Sequence, residues 1–92
     1  MFVIIAYDIP DTKRRTKVMK LLEGYGAHVQ ESVFECDLEP AKYRQLRQRL
    51  HQLLRLDQDN VRCYQLCQAD VPRIETLGVA YAVQRLMVFK VI

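Results

Sequence analysis

Apolar residues crowd both sides of the opening segment. From Phe2 to Ile9, the positions Phe2, Ile4, Ala6 and Asp8 alternate with Val3, Ile5, Tyr7 and Ile9, and everything before Asp8 is aliphatic or aromatic. β-Branched and aromatic residues in such a run favour a strand, and a strand apolar on both faces belongs inside a sheet. Pro10 stops it and Asp11 offers a helix N-cap. From Thr12 the residues Val18, Leu21, Leu22 and Tyr25 fall at i, i+3, i+4 and i+7, which predicts a helix, with Gly24 and Gly26 as its stop. Ala27 to Leu38 reads as one long strand, with Val29 and Val33 on one side, Phe34 and Cys36 in the opposite register, and a bulge or bend near Ser32. Pro40, at a first-turn position, starts a second helix whose stripe is Tyr43, Leu46, Leu50, Leu53 and Leu54. Leu56 to Asn60 is its exit loop. Val61 to Cys67 follows as a strand, then a turn at Ala69 to Pro72 and a shorter strand from Arg73 to Leu77, closed by Gly78. The run Leu86 to Ile92 carries only Lys90 as a charge and is expected to add as an edge strand, within the chain or on a partner.

This periodicity predicts a single α+β domain over residues 1–92, with 79–92 as a C-terminal extension. Its topology stays open. Taken as one strand, Ala27 to Leu38 gives strand, helix, strand, helix, strand, strand. Split into Ala27 to Ser32 and Val33 to Leu38, it gives a split βαβ sandwich with an antiparallel sheet and both helices on one face. The helices then leave Phe2, Ile4 and Ala6 uncovered on the other face. At about 25 cal/mol per Å2, wetting several such side chains costs several kcal/mol, so packing against a second copy about a twofold axis is expected. The alternative is a C-terminal strand folded over that face within one chain.

Composition narrows the class. Half the residues are apolar and 27% are charged, inside the range of chains that fold. No apolar run approaches the roughly 18 residues of a membrane span, and the start lacks a basic region followed by a cleavage site. A cytoplasmic protein with no membrane partner is expected, its three cysteines forming no structural disulfide. Cys63 and Cys67 lie about 13 Å apart along a strand, too far to share one metal, and the count excludes an iron–sulfur cluster. His28 and His51 are isolated, and neither a Ser-His-Asp set nor a Gly-rich phosphate loop is present. The net charge of +3 is mild, but it is unevenly spread. Asp11 to Lys20 holds five basic residues and one acid, and Lys42 to Arg55 five basic residues and none.

Asp8 carries the most chemical information. It ends an apolar strand, and in a twofold dimer through that strand's open face it would meet its twin. Two carboxylates brought close repel, and Mg2+ or Mn2+ relieves the repulsion while keeping several waters. Such an ion activates water against a phosphodiester. The plainer reading is that Asp8 caps the following helix. Lys13, Arg14, Arg15 and Lys17 sit at a helix start, where positive charge opposes the dipole, so phosphate binding would explain them; a solvated polar face is the other reading. Lys42, Arg44, Arg47, Arg49 and Arg55 invite the same pair of readings.

Taken in order, YDIPDTKRRTKVMKLLEGYG, HVQESVFECDL and DNVRCYQL resemble the small CRISPR-associated endoribonuclease family, Cas2. The resemblance implies a ferredoxin-like fold and a homodimer in which the C-terminal strand adds to the partner's sheet. It also implies metal-dependent phosphodiesterase activity, on single-stranded RNA or duplex DNA, centred on Asp8 as catalytic residue and ligand of Mg2+ or Mn2+. Tyr7, Arg14, Arg15 and Phe34 match its nucleic-acid-binding positions. His28 stands where the family often has arginine, which implies a weaker and more pH-dependent phosphate contact. Members are described both as nucleases and as non-catalytic bridges that hold duplex DNA between copies of the Cas1 integrase during spacer acquisition.

Overall fold

The computed structural model describes residues 1–79. Its elements are β1 (Phe2–Asp8), α1 (Thr12–Glu23), β2 (Ala27–Gln30), β3 (Val33–Asp37), α2 (Pro40–Leu53) and β4 (Asn60–Leu66), followed by a 3-10 helix over Gln68–Arg73. The sheet order is β2-β3-β1-β4, with every neighbouring pair antiparallel. This is the ferredoxin-like split βαβ arrangement of an α+β protein.

Alternation along β1 decides where the core sits. Val3, Ile5 and Tyr7 are buried and pack with Val18 and Leu22 of α1, Tyr43, Leu46 and Leu50 of α2, and Phe34 and Cys36 of β3. Burying side chains of this size stabilises the fold by about 1.5–3 kcal/mol each. Phe2, Ile4 and Ala6 point to the opposite face and are half-buried within one chain. Residues 74–79 run beside that face, where Ile74 and Leu77 border a groove whose sheet side is Ile4, Val29, Val33 and Glu35. They do not seal it, because Leu77 and Val79 remain 79% and 95% exposed.

Of the two topologies left open the split one holds, and one expected strand does not form. Ala27 to Leu38 is not one strand: it breaks at Glu31 and Ser32 into a hairpin, with a register irregularity between His28 and Gln30. Folding back lets both Ala27 and Phe34 reach the buried side and lets the Ser32 carbonyl accept from the Tyr7 N–H at 3.1 Å. Arg73 to Leu77 forms no strand. Pro72 sits inside the 3-10 helix, where it fixes φ and offers no N–H, and only a bridge at Thr76 follows. The expected strand from Leu86 to Ile92, and the extension from residue 80 onward, lie outside the described residues.

Gly26 serves packing as well as helix termination. A Cβ there would press on the Glu35 carbonyl oxygen and lie 2.5 Å from Cys36 Sγ and 3.0 Å from Cys36 Cα, so only glycine lets β2 begin this close to β3. Among the described residues no helix is long and apolar enough to cross a membrane.

Candidate active site at the end of the first strand

Asp8 is exposed at the last position of β1, on the face the helices leave open, with Asn60 of β4 as its cross-strand partner. It does not cap α1. That role belongs to Asp11, whose Oδ2 accepts the Arg14 backbone N–H at 2.8 Å. Among the described residues the Asp8 carboxylate has no hydrogen-bond or ion-pair partner. No group of three His, Cys, Asp or Glu that could hold a metal occurs among the described residues. Among the described residues Asp8 therefore stands outside any ready-made cluster of metal ligands. Its carboxylate suits Mg2+ or Mn2+, which take one or two carboxylates and several waters, provided a second copy brings the other carboxylate.

Behind Asp8, on the core side, lie three of the residues expected to bind nucleic acid. The Tyr7 hydroxyl donates to the Glu31 carbonyl at 3.3 Å, and His28 Nε2 lies 3.0 Å from the same oxygen. The His28 ring stacks on Phe34 with centroids 4.4 Å apart and planes 5° from parallel, and Tyr7 and Phe34 centroids are 6.4 Å apart. Tyr7 and His28 are buried and Phe34 fully so. The structure thus brings these three together as one packed unit that ties the β2–β3 turn to the strand carrying Asp8. Phe34 presents no surface on which a base could stack.

The basic run divides by direction. Arg14 makes a forked pair with Asp59, Nε to Oδ2 at 2.6 Å and Nη2 to Oδ1 at 2.9 Å, which holds the Asp59 carboxyl below the usual carboxylate range. Arg15 turns back on the loop after Asp8 and donates to the Ile9 carbonyl at 2.8 Å and the Pro10 carbonyl at 3.3 Å. Lys13, Lys17 and Lys20 are exposed, with no acidic partner among the described residues. On α2, Arg44, Arg47 and Arg49 are likewise exposed, and the Arg47 guanidinium lies 5.8 Å from the Tyr43 ring centre.

Residues 1–74 match the family described as CRISPR associated protein Cas2. The chain belongs to the Cas2 family. It is 53% identical over 79 residues to the CRISPR-associated endoribonuclease Cas2 1 of Chloroflexus aurantiacus, covering 85% of each chain. Its fold matches Streptococcus pyogenes Cas2, crystallised at pH 6.5, with a TM-score of 0.76 and 39% identity over 85% of this chain and 100% of that one. It also matches a chain of a partial Cas6-RT-Cas1–Cas2 complex, with a TM-score of 0.70 and 30% identity over 92% of this chain and 98% of that one.

In this Cas2 chain the sequence reading missed two residues that share the open face with Asp8. Asn60 is its direct neighbour on β4, and Arg62 lies one pair along, opposite Ala6, with Nη1 donating to the Tyr64 hydroxyl at 3.2 Å. The signal was present: alternation along DNVRCYQL puts Asn60, Arg62 and Tyr64 on one side, but which side faced Asp8 required the register. The three thiols are free. Cys36 is pushed up to about 11, chiefly by burial and then by Cys63 and Glu35, which makes it a core side chain and a poor nucleophile at neutral pH.

Proposed function

We propose that this Cas2 protein is a metal-dependent endonuclease that hydrolyses phosphodiester bonds in RNA or DNA, acting as a cytoplasmic homodimer in CRISPR spacer acquisition with a Cas1 integrase as partner. The observation that carries the reading is Asp8, an exposed carboxylate with no partner among the described residues, at the end of the central strand, on the sheet face that keeps Phe2, Ile4 and Ala6 half-uncovered. A second copy packed on that face buries the apolar residues and brings two Asp8 side chains toward one axis. Mg2+ or Mn2+ held there would supply charge neutralisation at phosphate and an activated water. Asp8 holds the ion, and Arg62 on the same face offers a cation to the phosphate. Tyr7, His28 and Phe34 set the β2–β3 turn beside it, and Arg15 fixes the loop that leaves it. Lys13, Lys17 and Lys20 give a basic row for the nucleic-acid backbone. The name of the Chloroflexus relative, an endoribonuclease, and the Cas1 in the solved complex agree with this reading.

The lysine row also favours a second reading, a non-catalytic dimer that bridges integrase subunits and holds duplex DNA. Labelled RNA and duplex DNA incubated with wild type and Asp8→Asn, with and without Mg2+, separate the two. The nuclease reading expects Mg2+-dependent cleavage that Asp8→Asn loses while still binding. Full cleavage by Asp8→Asn would overturn it, and tight, salt-sensitive duplex binding without cleavage by either protein would establish the adaptor.

A further inference from the structure

The Arg14 fork occupies the edge of the guanidinium that would otherwise grip a phosphate. Nη2 also reaches Gln58 Oε1 at 3.3 Å, and the Asp59 side chain it binds is fully buried. Asp59 Oδ2 accepts in addition from the Arg55 backbone N–H at 2.8 Å, while the Asp59 N–H donates to the Arg55 carbonyl at 2.8 Å. One network therefore joins the first turn of α1, the exit of α2 and the start of β4. The next residue, Asn60, is the cross-strand neighbour of Asp8. On the other flank Arg15 holds the Ile9 and Pro10 carbonyls.

We infer that Arg14 and Asp59 are a positioning pair for the proposed site. They fix Asn60 and the loop after Asp8, and so the direction in which Asp8 presents its carboxylate, and Arg14 is not a nucleic-acid contact. The cations of the same run that meet the backbone are Lys13 and Lys17. The catalytic part of this inference rests on the function proposed above.

The signs separate the two roles. If Arg14 gripped phosphate, neutralising Asp59 would release it and tighten binding. If it positions, neutralising Asp59 loosens the site and leaves binding alone. The variants are Asp59→Asn, Arg14→Gln combined with Asp59→Asn so that no buried charge is left alone, Arg14→Lys, and Lys13→Ala combined with Lys17→Ala. Each is melted first and then measured well below its transition. Amide exchange at Arg15 and Asp59, whose N–H groups donate to the Asp11 and Arg55 carbonyls, should quicken about tenfold in every Arg14 and Asp59 variant. The salt slope of duplex binding should match wild type in those variants and fall by about 2 in the lysine double variant, at roughly 0.9 per phosphate contact. In single turnover the cleavage rate constant should drop about tenfold with the half-saturating enzyme concentration unchanged, and Arg14→Lys, which keeps the charge and loses the fork, should share the defect. A salt slope lower by about 1 in the Arg14→Gln double variant, or wild-type exchange and cleavage in Arg14→Lys and Asp59→Asn, would overturn the inference. If wild type does not cleave, or Asp8→Asn cleaves equally well, the nuclease reading is what fails; exchange and salt slope still decide the role of Arg14 and Asp59.

Discussion

Gly26→Ala tests how the hairpin that backs the site is seated. The added Cβ would meet the Glu35 carbonyl, Cys36 Sγ at 2.5 Å and Cys36 Cα at 3.0 Å, where ordinary contact begins near 3.4 Å. Two of these atoms are backbone, so β2 and β3 must separate by several tenths of an ångström rather than a side chain swinging away. Overpacking of a tight core costs about 1–3 kcal/mol, and a clash with backbone belongs at the upper end. For a domain of this size about 3 kcal/mol lowers Tm by roughly 12–24 °C, a large part of the 5–15 kcal/mol that holds such a fold. Gly24→Ala is the internal control. Its Cβ would stand 3.4 Å from the Leu21 carbonyl, its backbone is already right-handed helical, and alanine there should be neutral or stabilise by about 0.4–1 kcal/mol. Circular dichroism melts and urea titrations of the three proteins measure both effects. A Gly26→Ala protein melting within about 3 °C of wild type would refute the close approach of the hairpin strands.

Ile4→Arg places a charge at the centre of the open face, so sedimentation should find a folded monomer where wild type sediments as a dimer; a dimeric variant would place the interface elsewhere. Burial raises the Glu35 carboxyl in the folded chain above its unfolded value, so the fold binds that proton more tightly and ionised Glu35 lowers stability. Glu35→Gln should therefore raise Tm at pH 7, with the gain fading as the pH falls toward about 4, where wild type is protonated as well. An equal gain at both pH values would exclude the carboxylate as its cause. A thiol reagent on the native protein should label the exposed Cys63 and Cys67 and reach buried Cys36 only on unfolding; prompt labelling of Cys36 would contradict its place in the core.

The parts of the fold legible in the sequence were those whose cause is local. Alternation in Phe2 to Asp8 identified the inner strand, and Asp11 and Pro40 marked helix starts that the structure has at Thr12 and Pro40. The hairpin at Glu31 and Ser32 stayed one of two readings because no Gly, Pro or Asn punctuates QES, and the contacts that seat the turn come from Tyr7, more than twenty residues upstream. The strand expected at Arg73 to Leu77 was suggested by branched residues beyond Pro72, with nothing local to say that pairing would stop at the single bridge of Thr76. The site shows the same boundary. Asp8 stood out by its position, whereas the partner that turns Arg14 inward is Asp59, brought to it only by tertiary structure. His28 and Phe34 likewise look like surface contacts in a motif and become a stacked, buried pair once the sheet forms.

Whether two chains share one site can be measured directly by mixing. Wild-type and Asp8→Asn chains are unfolded together, refolded at several ratios and assayed for Mg2+-dependent cleavage. If the ion needs both carboxylates, only dimers with two wild-type chains cut, and at equal mixing activity falls to about one quarter of an all-wild-type sample. Activity of about one half, falling in proportion to the wild-type fraction, would mean that each Asp8 works alone and that no paired centre exists.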